Sequence, residues 1–195
     1  MPQRHALALE RTDHAILLVA QSETLAHDPS LEFGEAIRNQ VLTESSAGTV
    51  CWVGASGAHQ NLDNVKAAYA EARQAAEVAQ IVRILGPVVH HSALGIYGLL
   101  AEMPLDRLGA NIPPGLRRLL DSATTANDDQ VRTLETYLDN AGEVKRTSEK
   151  LHIHRTSLYY RLKRIQETTG LSLSSGDDRL SLHLGLKIAR LIEHR

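Results

Sequence analysis

The chain has 195 residues, 43% apolar and 23% charged, with a formal net charge of −2, which fits one substantial hydrophobic core and one small one in an ordinary globular class. A single cysteine, Cys51, excludes an intrachain disulfide and fits a reducing cytosol. The apolar run at residues 15–20 is far too short to span a bilayer and residues 1–11 have no signal-peptide core, so a cytoplasmic protein with no membrane partner is expected.

Residues 15–20, Ala-Ile-Leu-Leu-Val-Ala, read as a buried strand. Residues 31–43 read as an amphipathic helix with Phe33, Ile37 and Val41 on one stripe. A second strand is expected at residues 49–53, ended by Gly54-Ala-Ser-Gly57, with Cys51 inside it as a buried small hydrophobe. Asn61 or Asp63 then caps a helix reaching residue 80, with Val65, Ala68, Tyr69, Ala72, Ala76 and Ala79 inward. Residues 81–91 contain a strand broken by Gly86-Pro87. This alternation predicts helices packed on a sheet. Short connecting helices are expected at residues 94–100 and 116–120, while Pro104, Pro113-Pro114 and the polar residues 122–129 mark a flexible link.

The most informative stretch follows. A helix over residues 129–140 offers Val131, Leu134 and Leu138 as an inward stripe. A second helix, residues 143–151, puts Val144, Thr147, Ser148 and Leu151 on one face, where the small Thr147 and Ser148 allow close helix approach. Ile153 plugs the turn, and a third helix runs over residues 155–168 with Leu158, Leu162 and Ile165 inward. The spacing is that of a helix-turn-helix, whose second helix lies in the DNA major groove. Arg155, Thr156, Tyr159 and Tyr160 are the expected base readers. Lys145, Arg146, His154, Ser157, Arg161, Lys163 and Arg164 are the expected phosphate contacts, with His154 at the N-cap of the reading helix. Residues 143–164 carry seven Lys/Arg against two Glu in a chain that is acidic overall, an electrostatic footprint for phosphate.

Other features point to less. The ten histidines show no zinc-site spacing, and adjacent His90 and His91 point to opposite faces in a strand, so no metal or other cofactor is expected. Ser56 lies in Gly54-Ala-Ser-Gly57, one residue short of a nucleophile elbow, and no Lys-Ser/Thr follows to make a phosphate loop. Residues 180–192 form a helix that is apolar on more than one side. One side covers the helix-turn-helix core; the other meets a second subunit or packs against the helices around Leu116 and Leu134.

Residues 133–190, TLETYLDNAGEVKRTSEKLHIHRTSLYYRLKRIQETTGLSL and then DDRLSLHLGLKIARL, resemble the C-terminal domain of the PucR/CdaR family of bacterial transcriptional regulators. Members commonly have Ala where Ser148 stands and Asn where Thr156 stands; the geometry tolerates both changes, and Thr156 bears on base preference. Residues 11–91, through CWVGASGAHQNLDNVKAAYAEARQAAEVAQ, resemble more weakly the degenerate GGDEF-like domain of the same family. A diguanylate cyclase has a GG(D/E)EF hairpin just before the strand at residues 15–20; here Arg11-Thr-Asp-His-Ala15 stands instead, without the glycine pair and the acidic pair. The resemblance also implies that the domain's first strand and helices precede Met1, in a longer or a truncated regulator.

Together these readings predict an α+β chain: a partial α/β GGDEF-like domain over residues 1–103, a linker with short helices over residues 104–128, and an all-α helix-turn-helix domain over residues 129–195. The expected function is a non-enzymatic DNA-binding regulator, a homodimer on double-stranded DNA, activating a metabolite-catabolism operon in response to an unidentified effector. The alternatives are a divergent nucleotide cyclase or nucleotide-binding sensor, against which the missing hairpin argues, and a module that offers its basic helix to an acidic protein.

Overall fold

In the computed structural model, which describes residues 6–20, 28–121 and 125–193, the first described element is a β-hairpin. Ala6–Glu10 (β1) pairs antiparallel with Ala15–Val19 (β2), Leu7 opposite Leu18 and Leu9 opposite Ile16. The strand expected at residues 15–20 is therefore present, but it is not buried: β1 is exposed throughout and Leu17 is exposed on β2. An apolar run fixes a strand; only a covering layer buries it. The hairpin turn is closed by the Arg11 amide donating to the His14 carbonyl at 2.8 Å. His14 then stacks on Tyr69, with Nε2 2.9 Å from the Tyr69 hydroxyl.

The rest of this region is a helix-covered parallel strand pair. Ser30–Glu44 (α1) precedes Val53–Ala55 (β3); Val65–Ile81 (α2) follows, and Val88–His90 (β4) returns parallel to β3 with Val53 opposite Val88. The parallel pair needs the crossover that α2 supplies. Both α1 and α2 pack on β3 and β4. Gly54 makes the closest approach: a Cβ there would stand 1.9 Å from the Ala72 carbonyl oxygen, so strand and helix backbones touch. Four expectations are corrected here. The second strand lies at residues 53–55 rather than 49–53, which leaves Cys51 outside it and half-buried. Neither Asn61 nor Asp63 caps the helix through its side chain, because a 3-10 turn at Leu62–Asn64 leads into α2. Val65, at the helix start, is exposed, and the buried stripe is Ala75, Val78 and Ala79. The described strands form two separate two-stranded sheets instead of one.

The chain divides by compactness into Met1–Leu99 and Leu100–Arg195, and Ile96–Ala101 (α3) lies at the division. The second unit is helical: Leu105–Ala110 (α4), Pro114–Asp121 (α5), Thr125–Asp139 (α6), Val144–Leu151 (α7), Arg155–Thr169 (α8) and Gly176–Glu193 (α9). The segment expected as a linker thus contributes two packed helices, with Leu108, Leu116 and Leu119 buried; residues 122–124 of the expected link lie outside the described residues. Gly115 lets α5 rest directly on the end of α8, since a Cβ there would fall 1.9 Å from the Thr169 carbonyl oxygen. Leu158 and Ile165 of α8 are wholly buried, each contributing about 1.5–3 kcal/mol of apolar burial.

Helix α9 closes the unit. Gly185 faces Leu116 of α5, Ile192 reaches Gly109 of α4, and an ion-pair ladder joins α9 to α6. In that ladder Asp139 takes both His183 and Lys187 at 2.8 Å, and Glu135 takes Arg190. Burial pushes the Asp139 carboxyl up, but hydrogen bonds from Lys187 and His183 outweigh it and hold the group below its ordinary value. More than one side of α9 is therefore used within the unit, while Leu180 stays exposed.

Candidate nucleic-acid interface

The geometry begins with the turn between α6 and α7. Ala141 and Gly142 both adopt left-handed backbone, φ 55° and 79°, and the Arg179 guanidinium donates to the Ala141 carbonyl at 2.6 Å. Helix α7 is short and polar outside. Its inward Thr147 and Ser148 are buried, and their hydroxyls donate back to the carbonyls of Glu143 and Lys145. No hydroxyl is stranded at the contact, so the helices approach without an unpaired polar group. His152 ends α7 in left-handed conformation, φ 53°, and the Ile153 amide donates to the Ser148 carbonyl at 3.1 Å.

His154 then caps α8. Its Nδ1 accepts from the Thr156 backbone amide at 3.3 Å and lies 3.0 Å from the Thr156 hydroxyl. The ring nitrogen thus satisfies one of the first-turn amides that have no partner within the helix. The Thr156 hydroxyl lies beside the same ring nitrogen, and the exposed side chain stays open to another surface. The cap is thus both a helix start and a way of orienting two expected DNA contacts.

Arg155, Thr156, Tyr159 and Tyr160 are all exposed, the tyrosines at 59% and 63%. At 3.6 residues per turn they span an arc of about 140°, from Arg155 at the edge nearest the Leu162 line to Tyr160 nearly opposite Leu158 and Leu162. Exposed tyrosines beside arginine on a helix with a buried opposite face are unusual for a merely solvated surface. Arg155 and Lys145 are exposed and hold no ion pair among the described residues. Arg146 pairs with Glu143 at 3.0 Å and Lys163 with Glu167 at 3.9 Å, both in the open, where such pairs contribute about 0–1 kcal/mol and exchange readily for phosphate. Arg164 lies over the Tyr160 ring, 6.0 Å from its centroid.

Arg161 stands apart from the other expected phosphate contacts. Its guanidinium donates to the Thr133 hydroxyl at 3.2 Å and to Asp129 at 3.3 Å, both on α6, and the side chain is half-buried. Asp129 and Arg161, with Gln130, Thr156, Ser157, Tyr160 and Arg164, line one shallow groove beside the start of α8. Asp129, Gln130 and Thr133 were not among the residues expected here. They lie about 30 residues from their partners on α8, and no local period links them. At the hairpin, where a nucleotide-gripping loop was sought, Asp13 bonds His14 at 2.7 Å; that bond holds the exposed carboxyl below its ordinary value. Among the described residues no group of three His, Cys, Asp or Glu gathers as a metal would need, and no helix is long and apolar enough to cross a membrane.

Residues 130–188 match the model of the PucR C-terminal helix-turn-helix domain, and residues 2–78 match that of a GGDEF-like domain. The chain is 28% identical over 181 residues to the purine catabolism regulatory protein of Bacillus subtilis (strain 168), covering 91% of this chain and 33% of that protein. It is 27% identical over 191 residues to the proline-responsive transcriptional activator PutR of the same organism, covering 95% of this chain and 46% of that protein. Over 57 residues it is 46% identical to the carbohydrate diacid regulator of Escherichia coli (strain K12), covering 29% of this chain and 15% of that protein. The chain thus spans less than half the length of these relatives. With both domain models matched in order, the chain belongs to the PucR/CdaR family of transcriptional regulators.

Proposed function

We propose that this chain reads a specific operator with α8 and regulates a metabolite-catabolism operon, as a cytoplasmic homodimer that performs no catalysis of its own. The observation that carries the reading is the exposed arc of Arg155, Thr156, Tyr159 and Tyr160 at the start of a capped helix. Arg155 is suited to a bidentate contact with guanine, and Thr156 to a thymine methyl or base edge. Lys145, Arg146, His154, Ser157, Lys163 and Arg164 flank that arc as phosphate contacts, and Arg161 serves through the groove it shares with α6. Positive control of a catabolic operon follows the names of the relatives, one a transcriptional activator and two named for purine catabolism and carbohydrate diacids.

A single helix-turn-helix buries too little surface for high specificity. Two copies would place their α8 helices about 34–36 Å apart, one turn of DNA. Exposed Leu180 on α9 and the first unit are the surfaces available for pairing. A genome-wide footprint of the protein in its host tests the function: paired half-sites upstream of catabolic genes are expected, and occupancy without sequence preference would overturn the reading. Incubation with GTP and Mg²⁺ tests the absence of catalysis. No cyclic dinucleotide is expected, because the hairpin tip spends Asp13 and His14 on each other and on Tyr69.

A further inference from the structure

We propose that Arg161 is a positioning residue: its guanidinium forks onto α6 and fixes how far α8 is turned about its own axis, and so which side chains meet the bases. The inference rests on the DNA-reading function and gives Arg161 a task other than holding phosphate.

The fork is made of connected bonds. One terminal nitrogen of Arg161 donates to the Thr133 hydroxyl at 3.2 Å and the other to the Asp129 carboxylate at 3.3 Å. The Thr133 hydroxyl in turn donates to the Asp129 carbonyl at 2.6 Å, so its proton is spent and a lone pair is left for the guanidinium. Asp129 and Thr133 stand four apart on α6, on one face, a spacing that lets a single planar fork reach both. Thr133 is wholly buried and Asp129 is open, so the guanidinium is pinned across the edge of the α6–α8 contact.

Direction agrees with bonding. At about 100° per residue, Arg161 lies about 40° from the buried Ile165 and about 100° from Tyr160, the nearest expected base reader. Its charge is offset by Asp129 on the same side. Leu158, Leu162 and Ile165 bury α8 along one stripe, but apolar contact has no direction. A planar fork on two fixed acceptors does. With side chains at a radius of about 5–6 Å, a turn of α8 by about 10° carries each tip about 1 Å. A base-edge hydrogen bond does not survive that shift, whereas a lysine or arginine on phosphate follows it.

The test uses the whole chain and two fluorescein-labelled duplexes: one that wild type selects from a randomised pool, and a scrambled version of it. Arg161→Lys keeps the charge but replaces the fork by a point donor. Thr133→Val keeps the volume and removes one acceptor. Each is expected to lose about tenfold on the selected duplex, within the discrimination that one base contact supplies. Each should bind the scrambled duplex as wild type does, with the same salt slope, since no charge is lost. The double variant should lose no more than either alone, because both break the same fork. Thr133→Ser keeps the hydroxyl and should retain the wild-type preference. A merely structural pair would instead weaken both duplexes in step with the thermal midpoint. If Thr133→Val unfolds, Arg161→Lys and Thr133→Ser decide. Wild-type binding of both duplexes by Arg161→Lys overturns the proposal, since charge alone then suffices. Equal losses on both duplexes, or losses that add in the double variant, overturn it too. Those outcomes leave the DNA-reading function standing, whereas failure of wild type to enrich any sequence overturns both.

Discussion

Arg155 and Lys163 make the sharpest contrast between single side chains. Arg155 opens α8 without an ion pair among the described residues, whereas Lys163 sits two turns on, in loose contact with Glu167. Arg155→Ala should cost about 1–3 kcal/mol on the operator and relax discrimination at one base pair. Lys163→Ala should weaken all duplexes nearly alike and flatten the salt slope by about one unit. Titrations of both variants on operator and scrambled duplexes, at several salt concentrations, check this; equal losses for Arg155→Ala on both duplexes would remove it from base reading. These exposed residues were legible because a helix repeats every 3.6 positions, so the inward Leu158, Leu162 and Ile165 declare the outward face. For Arg161 the same logic reaches only part of the way. Period places it on the flank but says nothing of Asp129 and Thr133, which a different helix brings up to it.

Between elements, two contacts decide how α8 is held. Gly115 brings α5 against the Thr169 carbonyl, so Gly115→Ala must push the helices apart or bend one. A loss of about 1–3 kcal/mol in denaturant unfolding is expected, although the residue touches none of the proposed DNA contacts. The Asp139 ladder between α6 and α9 gives the second test. Its folded carboxyl is held below the ordinary aspartate value, so the contribution is full above the unfolded pKa, about 4, and fades as pH falls through the lower folded value. The melting temperature should therefore drop on acidification below about pH 4, and Asp139→Asn should flatten that part of the curve; an unchanged acid limb would show that the ladder contributes nothing. Helices α6 to α9 were readable because their signals are local. The second strand was not: residues 49–53 are the more apolar run, yet pairing falls on residues 53–55, where Gly54 lets the chain reach the α2 backbone. Sheet register is settled by partners far along the chain, which periodicity within a run cannot reveal.

For the molecule as a whole, the division at residues 99 and 100 parts two halves of similar length and unequal cores. Most of the buried apolar side chains, from Leu100 to Leu191, belong to the second. Scanning calorimetry should accordingly resolve two transitions, the lower one from the first unit, and hydrogen exchange should protect α8 longest. One cooperative transition would mean that the units stabilise each other. The β1–β2 ribbon carries a further consequence, for colloidal behaviour. Leu7 is 72% exposed and Leu9 51%, Leu17 is open on the opposite face, and among the described residues neither strand has a third to pair with. A greasy ribbon with free edges is a template for stacking one molecule on another, the hazard that natural sheets usually blunt with lysine or proline. Concentrated stocks of this chain should therefore cloud with time and temperature, and Leu7→Lys should keep them clear without altering duplex affinity, as turbidity measured beside anisotropy will tell.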